Sequence, residues 1–105
     1  MWEYSLGLAL LIHGAVFINR QLRPYDPKHI HLLLIIGSFS SVTYFVLGFF
    51  IYPWYTPILG MVIFPIVISI AHFKFYQPNL LFALKDQFFV IVGFIICTNS
   101  VIRDF

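Results

Sequence analysis

Long apolar stretches separated by two short basic gaps are the feature that most constrains this chain. Residues 2–19, 31–52, 57–73 and 88–102 each approach the roughly 20 apolar residues that a helix needs to cross a bilayer core of about 30 Å. In lipid a backbone must satisfy its own hydrogen bonds, so each stretch favours a helix. The sequence therefore predicts an all-α integral membrane protein, with four transmembrane helices forming a single domain over residues 1–105.

The distribution of charge predicts the orientation of those helices. All 6 Lys and Arg residues except Arg103 fall in the first and third gaps, which four crossings place on the same face. Basic loops of this kind stay in the cytoplasm, so we expect a multi-pass protein of the cell membrane with both termini outside the cytoplasm. The net charge of +2 is concentrated in these loops, which indicates contact with anionic lipid headgroups and not with nucleic acid.

The four helices are expected to form two hairpins. Pro24 and Pro27 preclude helix in the first gap, and the uncharged aromatic turn at 52–57 closes a tight hairpin of helices two and three. Pro65 removes a backbone hydrogen bond in the middle of helix three, which predicts a kink of more than about 20°. The fourth stretch would rise only about 22 Å. It must therefore begin earlier, near Leu81, or thin the bilayer, or sit among partner helices.

The histidines are the side chains best suited to carry a metal ion or a proton. On the predicted topology His29, His31 and His72 share the cytoplasmic interface, whereas His13 lies about 9 Å deeper than Asn19. His29 and His31 would project about 200° apart on a helix, so they cannot chelate as an i, i+4 pair would. We therefore expect no metal site and no cofactor in this chain. A site of His29, His31 and His72 is the alternative for a metal, and a neutral, hydrogen-bonded His13 is expected at membrane depth.

The sequence contains no clear set of residues for catalysis or for transport. Ion-coupled transport needs a carboxylate inside the membrane, and Glu3, Asp26, Asp86 and Asp104 all lie near predicted membrane boundaries. Several hydroxyls have no base at a reachable depth, namely Ser38, Ser40, Ser41, Thr43, Thr98 and Ser100. The sequence thus predicts no catalytic residues, and a small homo-oligomeric transporter or channel is the alternative function.

Small residues recur on one face of two predicted helices. They are Gly37, Ser41 and Gly48 in helix two, and Gly93, Cys97 and Ser100 in helix four. Such faces allow helices to approach closely, and close packing supplies much of helix association in lipid. Loops of at most about a dozen residues leave no room for an extramembrane domain with its own core. We therefore expect an accessory subunit whose small-residue faces pack against other integral membrane subunits of an enzyme complex.

In length, helix count and basic first loop, the chain resembles the small X subunit of archaeal ammonia monooxygenase. The resemblance covers the whole chain and includes the opening Trp-Glu-Tyr-Ser-Leu-Gly-Leu. It implies a membrane copper enzyme complex, an oxidoreductase that hydroxylates ammonia, in which other subunits hold the copper. This chain would then be a packing component, and the resemblance assigns it no functional residue.

Overall fold

The computed structural model describes residues 2–22, 30–77 and 80–104, and within them the side chains of residues 2–17, 31–77 and 84–104. Over these ranges the chain is helical and contains no strand. The helices are α1 (Trp2–Leu22), α2 (Ile30–Ile51), α3 (Tyr55–Ile58), α4 (Phe64–Lys74) and α5 (Leu80–Asp104). A π-helical segment, Leu59–Ile63, joins α3 to α4. The all-helical prediction is confirmed for the residues described.

Three helical spans are long and apolar enough to cross a membrane. They are His31–Ile51, Tyr55–Lys74 and Leu84–Asp104. The helix Trp2–Phe17 is also apolar but shorter. Large apolar side chains lie exposed on all three spans, with Phe39, Ile70 and Phe88 more than half accessible. A surface of this kind is suited to lipid or to other membrane helices, as the composition predicts.

Helix α1 lies at the centre of the bundle and packs chiefly against α5. Glycines permit this contact, because a Cβ atom on Gly93 would lie 2.6 Å from the backbone oxygen of Gly7 and from the backbone nitrogen of Leu11. Where two backbones approach this closely, only glycine fits. Helix α2 and the span Tyr55–Lys74 cover other sides of α1. The buried side chains therefore belong mainly to α1 and α5, including Leu8, Leu11 and Val90.

The last helix begins well before the apolar stretch that marked it in the sequence. Helix α5 has 25 residues from Leu80, which gives a rise of about 37 Å. The early start near Leu81 was one of the three expected solutions for this short stretch, and it makes the helix long enough to span a membrane. The helix changes from π-helical to α-helical geometry just before Pro65, because the π-helical segment Leu59–Ile63 ends where α4 begins. The kink at Pro65 stays a prediction.

Candidate functional site

Three ionisable side chains from three helices meet inside the bundle, and we call them the histidine cluster. His13 of α1, His72 of α4 and Asp86 of α5 are 2%, 5% and 0% exposed. Each offers one potential ligand atom, and these three atoms lie within 4.8 Å of one another. His13 Nε2 is 3.8 Å from Asp86 Oδ1, and the ring centroids of His13 and His72 are 5.3 Å apart.

The contact between α1 and α5 brings His13 and Asp86 together. A Cβ atom on Gly14 would lie 2.8 Å from the carbonyl oxygen of Asp86 and 2.9 Å from the backbone nitrogen of Val90. The two backbones therefore touch beside the histidine cluster. His72 reaches the same place from the last turn of α4, which also packs on α1. Close packing at glycine thus fixes the relative position of the ionisable groups.

Lys85 is the cation nearest to the histidine cluster. Its Nζ donates to Asp86 Oδ1 at 2.9 Å, and the Lys85 side chain is 20% exposed. The lysine thus balances the charge of a carboxylate that is fully buried. Removing one partner from a buried ion pair usually costs about 3–5 kcal/mol, so this pair is important for stability.

Several polar atoms of the histidine cluster lack a hydrogen-bond partner among the described residues. They are both ring nitrogens of His13 and Oδ2 of Asp86. A buried polar atom without a partner costs roughly 1–3 kcal/mol. The surroundings increase this cost, because the rings of Phe17 and Phe89 lie 4.6 and 5.5 Å from that of His13. Inside the described chain, the cluster is therefore incompletely satisfied.

An apolar cleft of about 340 Å³ leads from the surface to the histidine cluster. Its lining consists of Leu10, Ile68, Ala71, His72, Phe75, Lys85 and Phe89. Of these, His72 and Lys85 are the polar ones. The cleft thus gives a small ion or molecule a route to the edge of the cluster.

A second set of polar side chains joins α1, α2 and α5, and we call it the tyrosine network: Tyr4, Tyr44, Tyr52, Thr98, Ser100 and Asp104. The hydroxyl of Tyr52 donates to Asp104 Oδ2 at 2.7 Å and lies 2.7 Å from Ser100 Oγ. The hydroxyl of Tyr44 is 2.5 Å from Thr98 Oγ1, and that of Tyr4 donates to the Tyr44 carbonyl. Burial raises the pKa of Tyr52 to about 12, so its hydroxyl keeps its proton and remains a donor at neutral pH.

The candidate ligands from the sequence are grouped differently in the structure. His13 and His72 come together, whereas His31 is exposed on α2 and His29 lies outside the described residues. Asp86 completes the cluster, although its position near a predicted membrane boundary had argued against a functional role. In the sequence, the neighbouring Lys85 could have identified Asp86 as a candidate, because adjacent opposite charges at the start of an apolar stretch suggest a buried pair.

The predicted small-residue faces are buried within the chain, and their expected contact with partner subunits stays a prediction. Gly37, Ser41, Gly48, Gly93, Cys97 and Ser100 are all buried. A Cβ atom on Gly37 would lie 3.1 Å from Cβ of Ala15 in α1, and Cys97 Sγ donates to the Tyr4 carbonyl at 3.7 Å. Both faces are buried because α1 packs against α2 on one side and against α5 on the other.

Comparison with known proteins returns no match to a family model, to a curated protein or to a solved structure. The function of the chain is therefore inferred from its own geometry. Two features stand out in it: the histidine cluster inside the bundle, and the apolar outer surface of α2.

Proposed function

We propose that this chain is a non-catalytic accessory subunit of a larger membrane enzyme complex. The observation that supports the proposal is a groove on the outer face of α2, with a volume of about 640 Å³. Its lining consists of Leu34, Ile35, Ser38, Phe39, Val42 and Thr43. The groove lies in the middle of the span His31–Ile51, which has a mean hydropathy of 2.0.

The hydroxyl of Ser38, which is exposed in this groove, favours a protein helix over lipid as its occupant. The other hydroxyl of the groove, that of Thr43, already donates to the Phe39 carbonyl of its own helix at 2.9 Å. Hydrocarbon offers no hydrogen-bond partner, whereas serine and threonine commonly bond across helix contacts in membranes, with energies of about 0.6–2 kcal/mol. The small-residue faces are occupied within the chain, so partner contacts must fall on an outer surface such as this one.

The test is co-purification after mild solubilisation of native membranes. Wild-type chain should migrate with unlike subunits at a fixed ratio, and Ser38→Trp, which fills the groove, should release them. Val67→Trp is the matched control, because Val67 is 59% exposed on α4 and lies outside the groove. Unchanged subunit ratios in Ser38→Trp, or migration of the wild type with copies of itself alone, would contradict the accessory role.

A small homo-oligomeric transporter or channel is the second candidate, and the histidine cluster is the observation that favours it. Ionisable groups buried within membrane spans often lie on pathways for ions or protons. Asp86 is buried in the span Leu84–Asp104, and His13, on the shorter apolar helix Trp2–Phe17, is buried beside it. The same purification separates the two functions, because a transporter of this class would consist of identical chains.

The resemblance to the small X subunit of archaeal ammonia monooxygenase suggests which complex to examine. In that proposal the partners are integral membrane subunits that hold copper and carry out the oxidation, while this chain has no catalytic role. Sequencing the chains that migrate with it tests the proposal directly. Partners unrelated to a copper monooxygenase would remove this particular assignment and leave the accessory role intact.

We further propose that the chain lies in the cell membrane with both termini outside the cytoplasm, as the basic loops indicate. Cysteine at Trp54 should then react with an impermeant thiol reagent in intact cells, whereas cysteine at Phe75 should be shielded. Both positions are well exposed, at 69% and 65%, and the native Cys97 is buried, which keeps the background low. The reverse labelling pattern would invert the topology.

A further inference from the structure

The donor atoms of the histidine cluster are those that first-row transition metals prefer. His13 and His72 offer imidazole nitrogens, and Asp86 offers a carboxylate oxygen. Two imidazoles and one carboxylate bind Zn²⁺ or Fe²⁺ in many proteins and leave at least one position for water. Mg²⁺ and Ca²⁺ prefer sites made of oxygen ligands alone. From these residues we propose that the histidine cluster binds one divalent transition-metal ion, independently of the accessory role.

Metal binding requires the three ligand atoms to move only slightly closer together. Ligands about 2.1 Å from a tetrahedral metal ion lie about 3.4 Å from one another. The three candidate atoms are within 4.8 Å of one another. Rotation of buried side chains closes such a gap without movement of the helices. The bound ion would tie α1, α4 and α5 together at this end of the bundle.

The unpartnered polar atoms of His13 and Asp86 point to a ligand role. Neither ring nitrogen of His13 has a hydrogen-bond partner among the described residues, and the same holds for Oδ2 of Asp86. Asp86 can therefore coordinate through Oδ2 while Oδ1 keeps its hydrogen bond from Lys85. In this arrangement Lys85 orients the carboxylate, as outer partners of metal ligands commonly do.

The apolar cleft provides the entry path that a buried metal site requires. His72 and Lys85 both lie in its wall, so an ion that enters the cleft reaches one of the three ligands directly. The site could not be recognised from the sequence, because its three ligands lie on three separate helices.

Metal binding by the intact, tag-free chain in detergent micelles tests the proposal. After incubation with Zn²⁺ and gel filtration, the wild type should retain one Zn²⁺ per chain. His13→Ala and Asp86→Asn should each weaken the affinity at least about 100-fold, since loss of even an outer partner costs 10–100-fold. His31→Ala is the matched control and should bind as the wild type does, because His31 is exposed on α2.

Two further measurements keep the test decisive if a variant fails to fold. Helical circular dichroism identifies folded variants, and the thermal midpoint of the wild type should rise with Zn²⁺ but not with Mg²⁺. The proposal is overturned if the wild type retains no Zn²⁺ and shows no thermal shift. Equal stabilisation by Mg²⁺ would also overturn it, as would equal loss of Zn²⁺ in His31→Ala.

Discussion

The tyrosine network and the histidine cluster both place polar groups in the interior of an apolar bundle, yet they differ in how those groups are satisfied. In the tyrosine network, the hydroxyls of Tyr4, Tyr44 and Tyr52 each have a hydrogen-bond partner. In the histidine cluster, both ring nitrogens of His13 lack one among the described residues. The first region has the properties of a structural clamp, and the second those of a binding site.

The difference teaches how to separate structural from functional polar groups in an apolar helical bundle. A buried polar network stabilises a fold when every member is bonded, and it destabilises the fold when some members are not. Cys97 shows the structural case, since its thiol donates to the Tyr4 carbonyl beside the tyrosine network. Asp86 shows the other case, since one of its oxygens is bonded to Lys85 and the other is not.

The largest effect is expected from Lys85→Met, which would break the balance of charge at the histidine cluster. Asp86 is fully buried, so loss of its cation should lower the free energy of unfolding by about 3 kcal/mol in the presence of a chelator. Denaturant titration in micelles measures this change. Lys74→Met is the control, because Lys74 is exposed and should change stability little. A loss below about 1 kcal/mol would show that Asp86 does not depend on this ion pair.

Paired substitutions at the two regions should have opposite effects. Tyr52→Phe removes a hydroxyl that bonds Asp104 and Ser100, and it should cost about 1–2 kcal/mol. His13→Leu removes a buried ring that has no hydrogen bond, so with chelator present it should be neutral or stabilise the chain by up to about 1 kcal/mol. The same titrations measure both. Equal destabilisation by the two substitutions would remove the distinction between clamp and binding site.

The smallest effect is a pH dependence confined to alkaline solution. Because burial raises the pKa of Tyr52 from 10.0 to about 12, the folded chain holds this proton more tightly than the unfolded chain does. The resulting stability is complete below pH 10 and is lost as the pH rises towards 12. Unfolding curves of wild type and Tyr52→Phe should therefore converge over this range. Parallel curves would show that Tyr52 titrates as an ordinary tyrosine.

The sequence was sufficient to predict the helices, because apolar length alone determines where a chain can cross a bilayer. It left three solutions open for the fourth helix, and one of them, a start near Leu81, agrees with the observed start at Leu80. It also predicted that small residues would form contact faces, but not which helix would occupy them. That choice depends on the packing of α1, which no local pattern specifies.

Prediction of the candidate site from the sequence has the same limit, as the histidine cluster shows. His13 and His72 were recognised as candidates, but their common partner could not be identified without the contact between α1 and α5. Asp86 had been assigned to a membrane boundary by its position along the chain. Whether a residue is buried depends on the neighbouring helices as well as on its position along its own helix. The sequence indicates the position but not the neighbours.

The central position of α1 has a consequence for synthesis of the protein. Helix α1 leaves the ribosome before its main packing partner, α5, and Arg103 at the end of α5 forms an ion pair with Glu3 at 2.9 Å. Contacts between such distant parts of a chain form slowly. The contacts that bury His13 against α5 can therefore form only after α5 has been synthesised.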